Sequence, residues 1–248
     1  MPELPEAERA RAQIEKVLGR EIVFVDDRDT YVCRPHAPGE IAEALIGRTL
    51  TVAHRRGKFL WAETSDDGPE LGLHLGMAGR IAIDEPAHEK WDRFALEFAD
   101  GSRLALRDKR RLGRALIEPD FDHIGPDAAL ISRDAFRERV GRGSMPLKAR
   151  LLDQRSLAGV GNLLADETLW RAKLNPKRAA GELSEEELDH LRRVLRAATR
   201  DAIRKGGVHT GDFIPHRKRG HACPRCGTTV DRATVGGRTT FWCPNCQP

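Results

Sequence analysis

The sequence predicts a multidomain α+β protein. Over residues 21–118, short β-rich runs alternate with turn residues, as in antiparallel sandwiches. After Gly125-Pro126 the pattern changes to segments with helical periodicity, and four of the five cysteines lie in the last 26 residues. A chain of 248 residues also exceeds the usual size of a single core. We expect an N-terminal β-sandwich domain with flanking helices over residues 1–125, a helical domain over 126–210 and a zinc finger over 211–248.

The first predicted element is a helix that begins just after the N-terminus. Pro5 suits the first turn, several glutamates complement the positive end of the helix dipole, and Gly19 can end it. The helix has an apolar stripe that must pack on a core, so we expect it to hold Pro2 in place. The stripe consists of Ala7, Ala10, Ile14, Val17 and Leu18.

Pro2 and Glu3 admit a chemical interpretation as well as a bland one. If Met1 is removed, Pro2 carries a free secondary amine, and the pKa of an α-amino group is about 8. Such an amine condenses with an aldehyde-level carbon to a cationic iminium, which is a strong electron sink, and Glu3 supplies a carboxyl group for proton transfer. Taken alone, an ordinary frayed terminus is the better interpretation.

The β-rich part contains several predicted strands, of which six are the clearest, and inserted helical segments. Asp66-Asp-Gly68 and Asp100-Gly101 are hairpin signals, and one such helical segment is expected near residues 39–46. The six runs are 21–25, 49–53, 58–62, 71–75, 93–98 and 103–107.

Four helices are predicted in the second half. The longest has a capping-box pattern at Ser184 and Glu187 and stops at Gly206-Gly207. The predicted ranges are 132–141, 146–153, 162–173 and 184–205.

The C-terminal cysteines have the spacing of a structural zinc site. Two Cys-x2-Cys pairs are separated by 16 residues, and four thiolates close a tetrahedral zinc shell without an open position. Disulfide pairing is the competing interpretation, although nothing indicates export. We predict one structural zinc ion and a hairpin with strands over 228–232 and 238–242. The ligands would be Cys223, Cys226, Cys243 and Cys246.

Charge and local turns point toward an anionic partner. The net charge is +4, and basic residues crowd 107–114 and 204–225, although such runs are often only solvated faces. Gly159-Val-Gly-Asn162 could present backbone N–H groups to a phosphate, with an ordinary helix–helix turn as the simpler alternative. Met77 and Leu112 lie near glycine turns, where they could act as wedges in a base stack or simply fill a core. Arg110 could hydrogen-bond an orphaned base.

Several spaced motifs together resemble one family. They are Met1-Pro2-Glu3-Leu4-Pro5-Glu6, Arg55-Arg56-Gly57-Lys58-Phe59-Leu60, His74-Leu75-Gly76-Met77, Gly159-Val-Gly-Asn162 and Gly237-Arg238-Thr-Thr-Phe-Trp-Cys243. In this order, and over the whole chain, they resemble the formamidopyrimidine-DNA glycosylase/endonuclease VIII family. The resemblance implies a base-excision-repair enzyme with a β-sandwich, a helix–two-turns–helix domain and a zinc finger. It also implies damaged DNA as the partner, and we expect a monomer in the cytoplasm, associated with the nucleoid.

The resemblance assigns roles to individual residues. Pro2 matches the Schiff-base nucleophile, Glu3 the general acid, and Lys58 a lysine that contacts phosphate near the lesion. Arg238 and Asn162 match phosphate-gripping residues, and Lys148 falls at another catalytic-site lysine. The predicted catalytic residues are Pro2, Glu3, Lys58 and Arg238, and the predicted DNA-contacting residues are Met77, Arg110, Leu112, Lys148 and Asn162.

The implied activity is a glycosylase that is also an abasic-site lyase, with β- or β,δ-elimination left open. Three departures from the family pattern bear on the substrate: Leu112 replaces a phenylalanine wedge, Trp91 replaces a histidine, and the connection over 206–222 is too short for a lesion-capping loop. We therefore expect poor excision of 8-oxoguanine. Oxidised pyrimidines, formamidopyrimidines, abasic sites and unusual adducts stay open, as do the opposite base and the choice between duplex and single strand.

Two rival functions fit parts of the same evidence. A protein on this scaffold could bind damaged DNA without cutting it, and a zinc-ribbon regulator of transcription would bind intact duplex. Binding alone requires none of Pro2, Glu3 and Lys58, so their joint presence favours the enzyme.

Overall fold

The structure is a computed structural model that describes residues 2–248; the predicted removal of Met1 lies outside the described residues. The chain forms two compact units. Pro2 and residues 7–121 belong to the first unit, whereas residues 3–6 belong with 122–248 in the second. Among residues 2–248, no helix combines the length and apolar character that a membrane crossing requires.

The first unit contains two four-stranded antiparallel sheets that share one core. Their strand orders are β1-β6-β7-β5 and β2-β3-β4-β8. Leu96 and Leu104 of one sheet are buried in the same apolar cluster as Leu60 and Leu73 of the other, which confirms the predicted sandwich. The elements are α1 (Leu4–Ile14), β1 (Ile22–Asp26), α2 (Glu40–Leu45), β2 (Leu50–Arg56), β3 (Phe59–Thr64), β4 (Leu71–His74), β5 (Arg80–Ile83), β6 (Asp92–Phe98), β7 (Arg103–Arg107) and β8 (Arg114–Ile117).

Two of these strands were not expected from the sequence. β5 and β8 have only four residues each, and each begins with an arginine directly after a glycine. Such short runs have little periodicity of their own. Pairing with longer neighbours forms them, since β5 pairs with β7 and β8 with β4.

The second unit is helical and ends in a β-hairpin. The long helix begins with the predicted capping box: the Ser184 hydroxyl accepts a hydrogen bond from the Glu187 N–H at 3.3 Å, and the Glu187 carboxylate accepts one from the Ser184 N–H at 2.9 Å. It ends at Gly206, whose φ of +110° suits the left-handed cap. The elements are α3 (Arg133–Val140), α4 (Leu147–Leu152), α5 (Asn162–Ala172), α6 (Glu185–Lys205), β9 (Asp231–Val235) and β10 (Arg238–Trp242).

The hairpin differs from the prediction in its first strand. β10 coincides with the predicted range of 238–242, but β9 begins at Asp231, three residues later than expected. The reason is the preceding cysteine loop: the Thr228 carbonyl accepts a hydrogen bond from the Cys223 N–H at 2.8 Å, and Thr229 pairs with Ala222. The first cysteine pair therefore uses the residues that were assigned to the strand.

Candidate functional site

Glu3 lies at the N-terminus of α5. Its carboxylate accepts three backbone hydrogen bonds, from the N–H groups of Gly161 at 3.1 Å, Leu163 at 2.8 Å and Leu164 at 2.9 Å. The side chain is buried, with 1% of its surface exposed. These donors would otherwise be unpaired at the start of the helix, where the helix dipole also favours a negative charge. The arrangement therefore suits Glu3 as a carboxylate held in one orientation.

Glycine at position 161 makes this contact possible. A Cβ atom there would lie 2.2 Å from the Glu3 Cδ, so any side chain would displace the carboxyl group. The Glu3 N–H in turn donates to the Glu6 carboxylate at 2.9 Å, and the other Glu6 oxygen accepts from the Val208 N–H at 2.7 Å. The Gly-Val-Gly-Asn turn, at the start of α5, therefore donates its N–H groups to the protein's own Glu3 carboxylate.

Two further predicted site residues are neighbours in sequence of this contact: Asn162 lies between Gly161 and Leu163, and Pro2 precedes Glu3. Asn162 is the first residue of α5 and is half-buried, and its Oδ1 is buried without a hydrogen-bond partner among the described residues. Pro2 is half-buried and precedes Glu3 directly. A secondary amine at Pro2 would therefore be one peptide unit away from a fixed carboxyl group.

Lys58 lies in the turn between β2 and β3, after Gly57 with a φ of +61°. Its charge acts on His74 of β4. Burial, together with the Lys58 ammonium, lowers the pKa of His74 from 6.5 to about 4. The His74 Nδ1 accepts a hydrogen bond from the Gly76 N–H at 3.2 Å, which matches a neutral ring. His74 therefore offers its Nε2–H as a donor near neutral pH.

The loops that carry Met77 and Leu112 are packed closely together. A Cβ atom on Gly76 would lie 2.4 Å from the Leu112 carbonyl carbon, and Gly76 has a φ of +58°. Met77 is 41% exposed and Leu112 is half-buried. Neither side chain is fully committed to a core, so both are available as predicted wedges.

Asp108 organises the loop that contains Arg110 and Leu112. Its buried carboxylate accepts hydrogen bonds from the N–H groups of Arg110 at 2.9 Å, Leu112 at 2.8 Å and Gly113 at 2.8 Å. The Arg110 side chain is exposed. The loop therefore presents an arginine on a backbone that is fixed from inside.

Trp91 lies beside this loop, and its carbonyl accepts the Asp108 N–H at 2.8 Å. The His88 ring stacks on the indole at 4.0 Å, and the Lys109 ammonium lies 4.0 Å from the ring centroid. These contacts fix the indole as part of the loop's support.

Lys148 is an internal group in this structure. It is fully buried, its Nζ lies 2.7 Å from the Asp166 Oδ1, and it donates to the Thr240 hydroxyl at 2.8 Å. Burial lowers the pKa of Lys148 below its ordinary value, while the Asp166 carboxylate acts in the opposite direction. In this structure the Lys148 ammonium group contacts the protein, because a buried carboxylate and a hydroxyl enclose it; the DNA contact expected of Lys148 from the sequence stays a prediction.

The four predicted zinc ligands are brought together. Their sulfur atoms all lie within 4.8 Å of one another, and a tetrahedral zinc with bonds of about 2.3 Å places its sulfurs about 3.8 Å apart. The Trp170 indole N–H donates to the Cys223 sulfur at 3.3 Å, and the Cys246 N–H lies 3.4 Å from the Cys243 sulfur. The cluster fits one structural zinc ion. It anchors the hairpin whose second strand begins with the exposed Arg238.

Sequence reasoning missed the acidic residues that arrange these groups. Asp108 and Asp166 are each at most 1% exposed, yet neither was assigned a role. For Asp108 a local signal existed, since an aspartate commonly bonds the N–H two residues later in a turn. For Asp166 and its partner Arg217 the separation is 51 residues, which no local pattern reveals.

Three family models match successive parts of the chain. The family model for the formamidopyrimidine-DNA glycosylase N-terminal domain matches residues 1–115, and the model for the H2TH domain of the same enzymes matches 124–213. A model described as the zinc finger found in FPG and IleRS matches 220–248.

Relatives with known names cover the full length. A formamidopyrimidine-DNA glycosylase of Nocardioides sp. is 36% identical over 280 residues, with 100% of this chain and 95% of the relative covered. The Lactococcus lactis Fpg in complex with DNA containing an abasic site has a TM-score of 0.85 and 29% identity, with 99% of each chain covered. MutM in complex with DNA containing carbocyclic 8-oxo-G has a TM-score of 0.86 and 30% identity, again with 99% of each chain covered.

Proposed function

The chain belongs to the formamidopyrimidine-DNA glycosylase family, and on that basis we propose that it is a base-excision-repair DNA glycosylase with abasic-site lyase activity, in which Pro2 is the nucleophile. The observation that carries the proposal is the fixed carboxyl group of Glu3 directly after Pro2, held by three N–H groups of the α5 N-terminus. A binding module has no need of a buried, oriented carboxyl group beside an amine.

The proposed chemistry begins with base release. The unprotonated Pro2 nitrogen attacks C1′ of the damaged nucleotide, the bond from C1′ to the base breaks, and the base leaves with a proton. Opening of the sugar ring, with a proton delivered to O4′, gives a cationic iminium between Pro2 and C1′. Glu3, the carboxyl group directly after Pro2, is the proposed group for these proton transfers: its carboxylate takes up the proton that the Pro2 nitrogen loses on attack, and it then delivers that proton to O4′.

Strand cleavage follows from the iminium. Its positive charge acidifies the 2′ hydrogen, so a base removes that proton and the 3′ phosphate leaves in a β-elimination. A second elimination, with loss of the 5′ phosphate, would complete removal of the sugar, and water then releases Pro2. Overall no electron acceptor is consumed, because each elimination forms a double bond as a phosphate departs.

We assign phosphate contacts to two cationic side chains and one amide side chain. Lys58 and Arg238 supply positive charge, and Asn162, the first residue of α5, carries side-chain amide N–H groups that can donate to a phosphate oxygen. Met77, Arg110 and Leu112 are the residues proposed to fill the space left by a flipped nucleotide and to pair with its former partner.

The proposed substrates are lesions that need no capping loop. The connection after α6 is short and tied down: the Glu167 carboxylate accepts the N–H groups of Asp212 at 3.1 Å and Phe213 at 2.9 Å. Abasic sites, ring-opened purines and oxidised pyrimidines are therefore expected to be processed faster than 8-oxoguanine. Nucleoid association and a monomeric state remain predictions.

Borohydride trapping tests the proposal. Protein whose mass shows that it begins at Pro2 is incubated with duplexes carrying an abasic site, a formamidopyrimidine, an oxidised pyrimidine or 8-oxoguanine, with sodium borohydride present. We expect a covalent adduct that maps to Pro2, and its loss when an uncleaved residue blocks the amine. Lesion-selective binding without adduct or strand scission on every substrate would instead indicate a non-cutting damage-binding protein.

A further inference from the structure

A cluster of three charged residues, two of them buried, joins four segments of the second unit. Asp166, on the second turn of α5, is 1% exposed; its Oδ1 lies 2.7 Å from the Lys148 Nζ of α4. Its Oδ2 lies 2.7 Å from the Nε of Arg217, which belongs to the short connection after α6. The fourth segment is β10, through the Phe241 N–H, which is 3.3 Å from the same Oδ2.

The cluster binds three consecutive residues of β10. The Lys148 ammonium donates to the Thr239 carbonyl at 3.2 Å and to the Thr240 hydroxyl at 2.8 Å. The Arg217 guanidinium lies 5.4 Å from the centroid of the Phe241 ring. Arg238 immediately precedes this bound stretch, so the cluster determines where the strand places Arg238.

The tip of the hairpin is fixed to the same region by packing. A Cβ atom on Gly236 would lie 2.7 Å from the Cβ of Ala149, the residue after Lys148. Arg238 therefore lies between two contacts that both involve the start of α4. The exposed side chain is free to meet a ligand while its backbone is held on either side.

The opposite side of the cluster leads to Glu3. Asp166 follows Asn162 by four residues, about 6 Å along the helix axis. The N–H groups that hold Glu3 belong to the preceding turn of that helix. One rigid helix thus connects the cluster to both the proposed proton donor and a proposed phosphate ligand.

Stability alone does not account for such a cluster. Desolvation of buried charges commonly offsets their attraction, and apolar residues of similar volume are often at least as stable. The cluster here combines two cations with one carboxylate, and its hydrogen bonds are directed at a single strand.

We propose that Asp166, with Lys148 and Arg217, is a positioning cluster that fixes Arg238 relative to Glu3 and Asn162 for binding of the DNA backbone. The inference rests on the proposed function for the role of Arg238. This role requires no contact between DNA and any of the three residues. Their effect should therefore depend on the presence of Arg238.

A double-mutant cycle on DNA affinity tests this dependence. The probe is a duplex with a reduced abasic analogue, which cannot undergo elimination, and Kd is measured by fluorescence anisotropy. Arg238→Ala should weaken binding about tenfold or more, as for loss of a charge-assisted contact. Arg217→Gln alone should weaken binding severalfold, and Arg217→Lys, which keeps the charge, should recover part of the loss. In the Arg238→Ala background, Arg217→Gln should change Kd by no more than about twofold.

Arg171→Gln is the matched control. Arg171 also pairs with a buried carboxylate of α5, at 2.6 Å from Glu167, but that carboxylate bonds the backbone of residues 212 and 213. The effect of Arg171→Gln on Kd should be small and should not depend on Arg238. Asp166→Asn perturbs the cluster more strongly. If Asp166→Asn does not fold, Arg217→Gln still tests the proposal, because it leaves the Lys148–Asp166 pair intact.

Multiplicative effects of Arg217→Gln and Arg238→Ala, or no effect of Arg217→Gln alone, would overturn the positioning role. Because the cycle measures binding to an inert duplex, it remains informative even if no covalent adduct forms at Pro2. Failure of the trapping experiment would thus count against the proposed chemistry without deciding the role of the cluster.

Discussion

Replacement of Glu3 by glutamine should destabilise the second unit as well as impair catalysis. The carboxylate has two oxygens that accept three N–H groups: Oε1 bonds Leu163, and Oε2 bonds Gly161 and Leu164. A glutamine in the same place keeps one oxygen and turns an amide NH2 toward at least one of these donors. That donor then has no acceptor in a site where Glu3 is 1% exposed.

The size of the effect follows from these contacts. A buried donor left without a partner costs about 1–3 kcal/mol, and loss of a negative charge at a helix N-terminus costs about 0.3–1 kcal/mol. We therefore expect the free energy of unfolding to fall by about 1–4 kcal/mol in Glu3→Gln. For a protein of this size that corresponds to a melting temperature lower by several degrees.

Urea and thermal unfolding without DNA measure this change. Glu15→Gln is the control, because Glu15 is exposed and its one described partner is Arg11. The control should differ from the unchanged protein by less than about 0.5 kcal/mol. If Glu3→Gln were equally silent, the three N–H contacts would contribute nothing, and the idea that α5 holds this carboxyl group would fail.

Two further predictions concern His74 and the zinc site. Because the pKa of His74 is lowered to about 4, the unfolded chain binds a proton below pH 6.5 that the folded chain does not, so stability falls as pH falls. Between pH 7 and pH 5 the unchanged protein should lose about 2 kcal/mol more than His74→Gln in urea unfolding, and equal losses would contradict the shifted pKa. Trp170→Phe removes the N–H that bonds the Cys223 sulfur, so zinc should bind about tenfold or more weakly to the variant while the stoichiometry stays at one. Competition with a chromogenic chelator measures this, and unchanged affinity would refute a role for the indole.

The parts of the fold that were predictable are those with local signals. The capping box at Ser184 and Glu187, the stop at Gly206 and the cysteine spacing each lie within a few residues of what they determine. The predicted start of β9 was wrong because a contact of the cysteine loop outweighed a local signal. Threonine is common in strands, but the Thr228 carbonyl accepts the Cys223 N–H that closes the first cysteine loop.

The predicted site residues came from motifs, and the motifs say little about how the residues are held. Glu3 could be singled out by its position after Pro2, but its helix partners lie about 160 positions away. Lys148 matched a family lysine, yet only the structure shows that it faces Asp166 and Thr240. Contacts of this separation depend on how α4, α5 and the hairpin pack, and no periodicity encodes that packing.

Helix α5 is therefore the organising element of the candidate site. Its N-terminus holds Glu3, its second turn holds the positioning cluster through Asp166, and the adjacent Glu167 holds the connection after α6. Three carboxylates buried around one helix are costly unless each is paired, and here each accepts hydrogen bonds from the protein. The short connection after α6 is thus not a simple deletion of a loop: it is bound from within by two consecutive residues of the helix that also fixes the proposed proton donor.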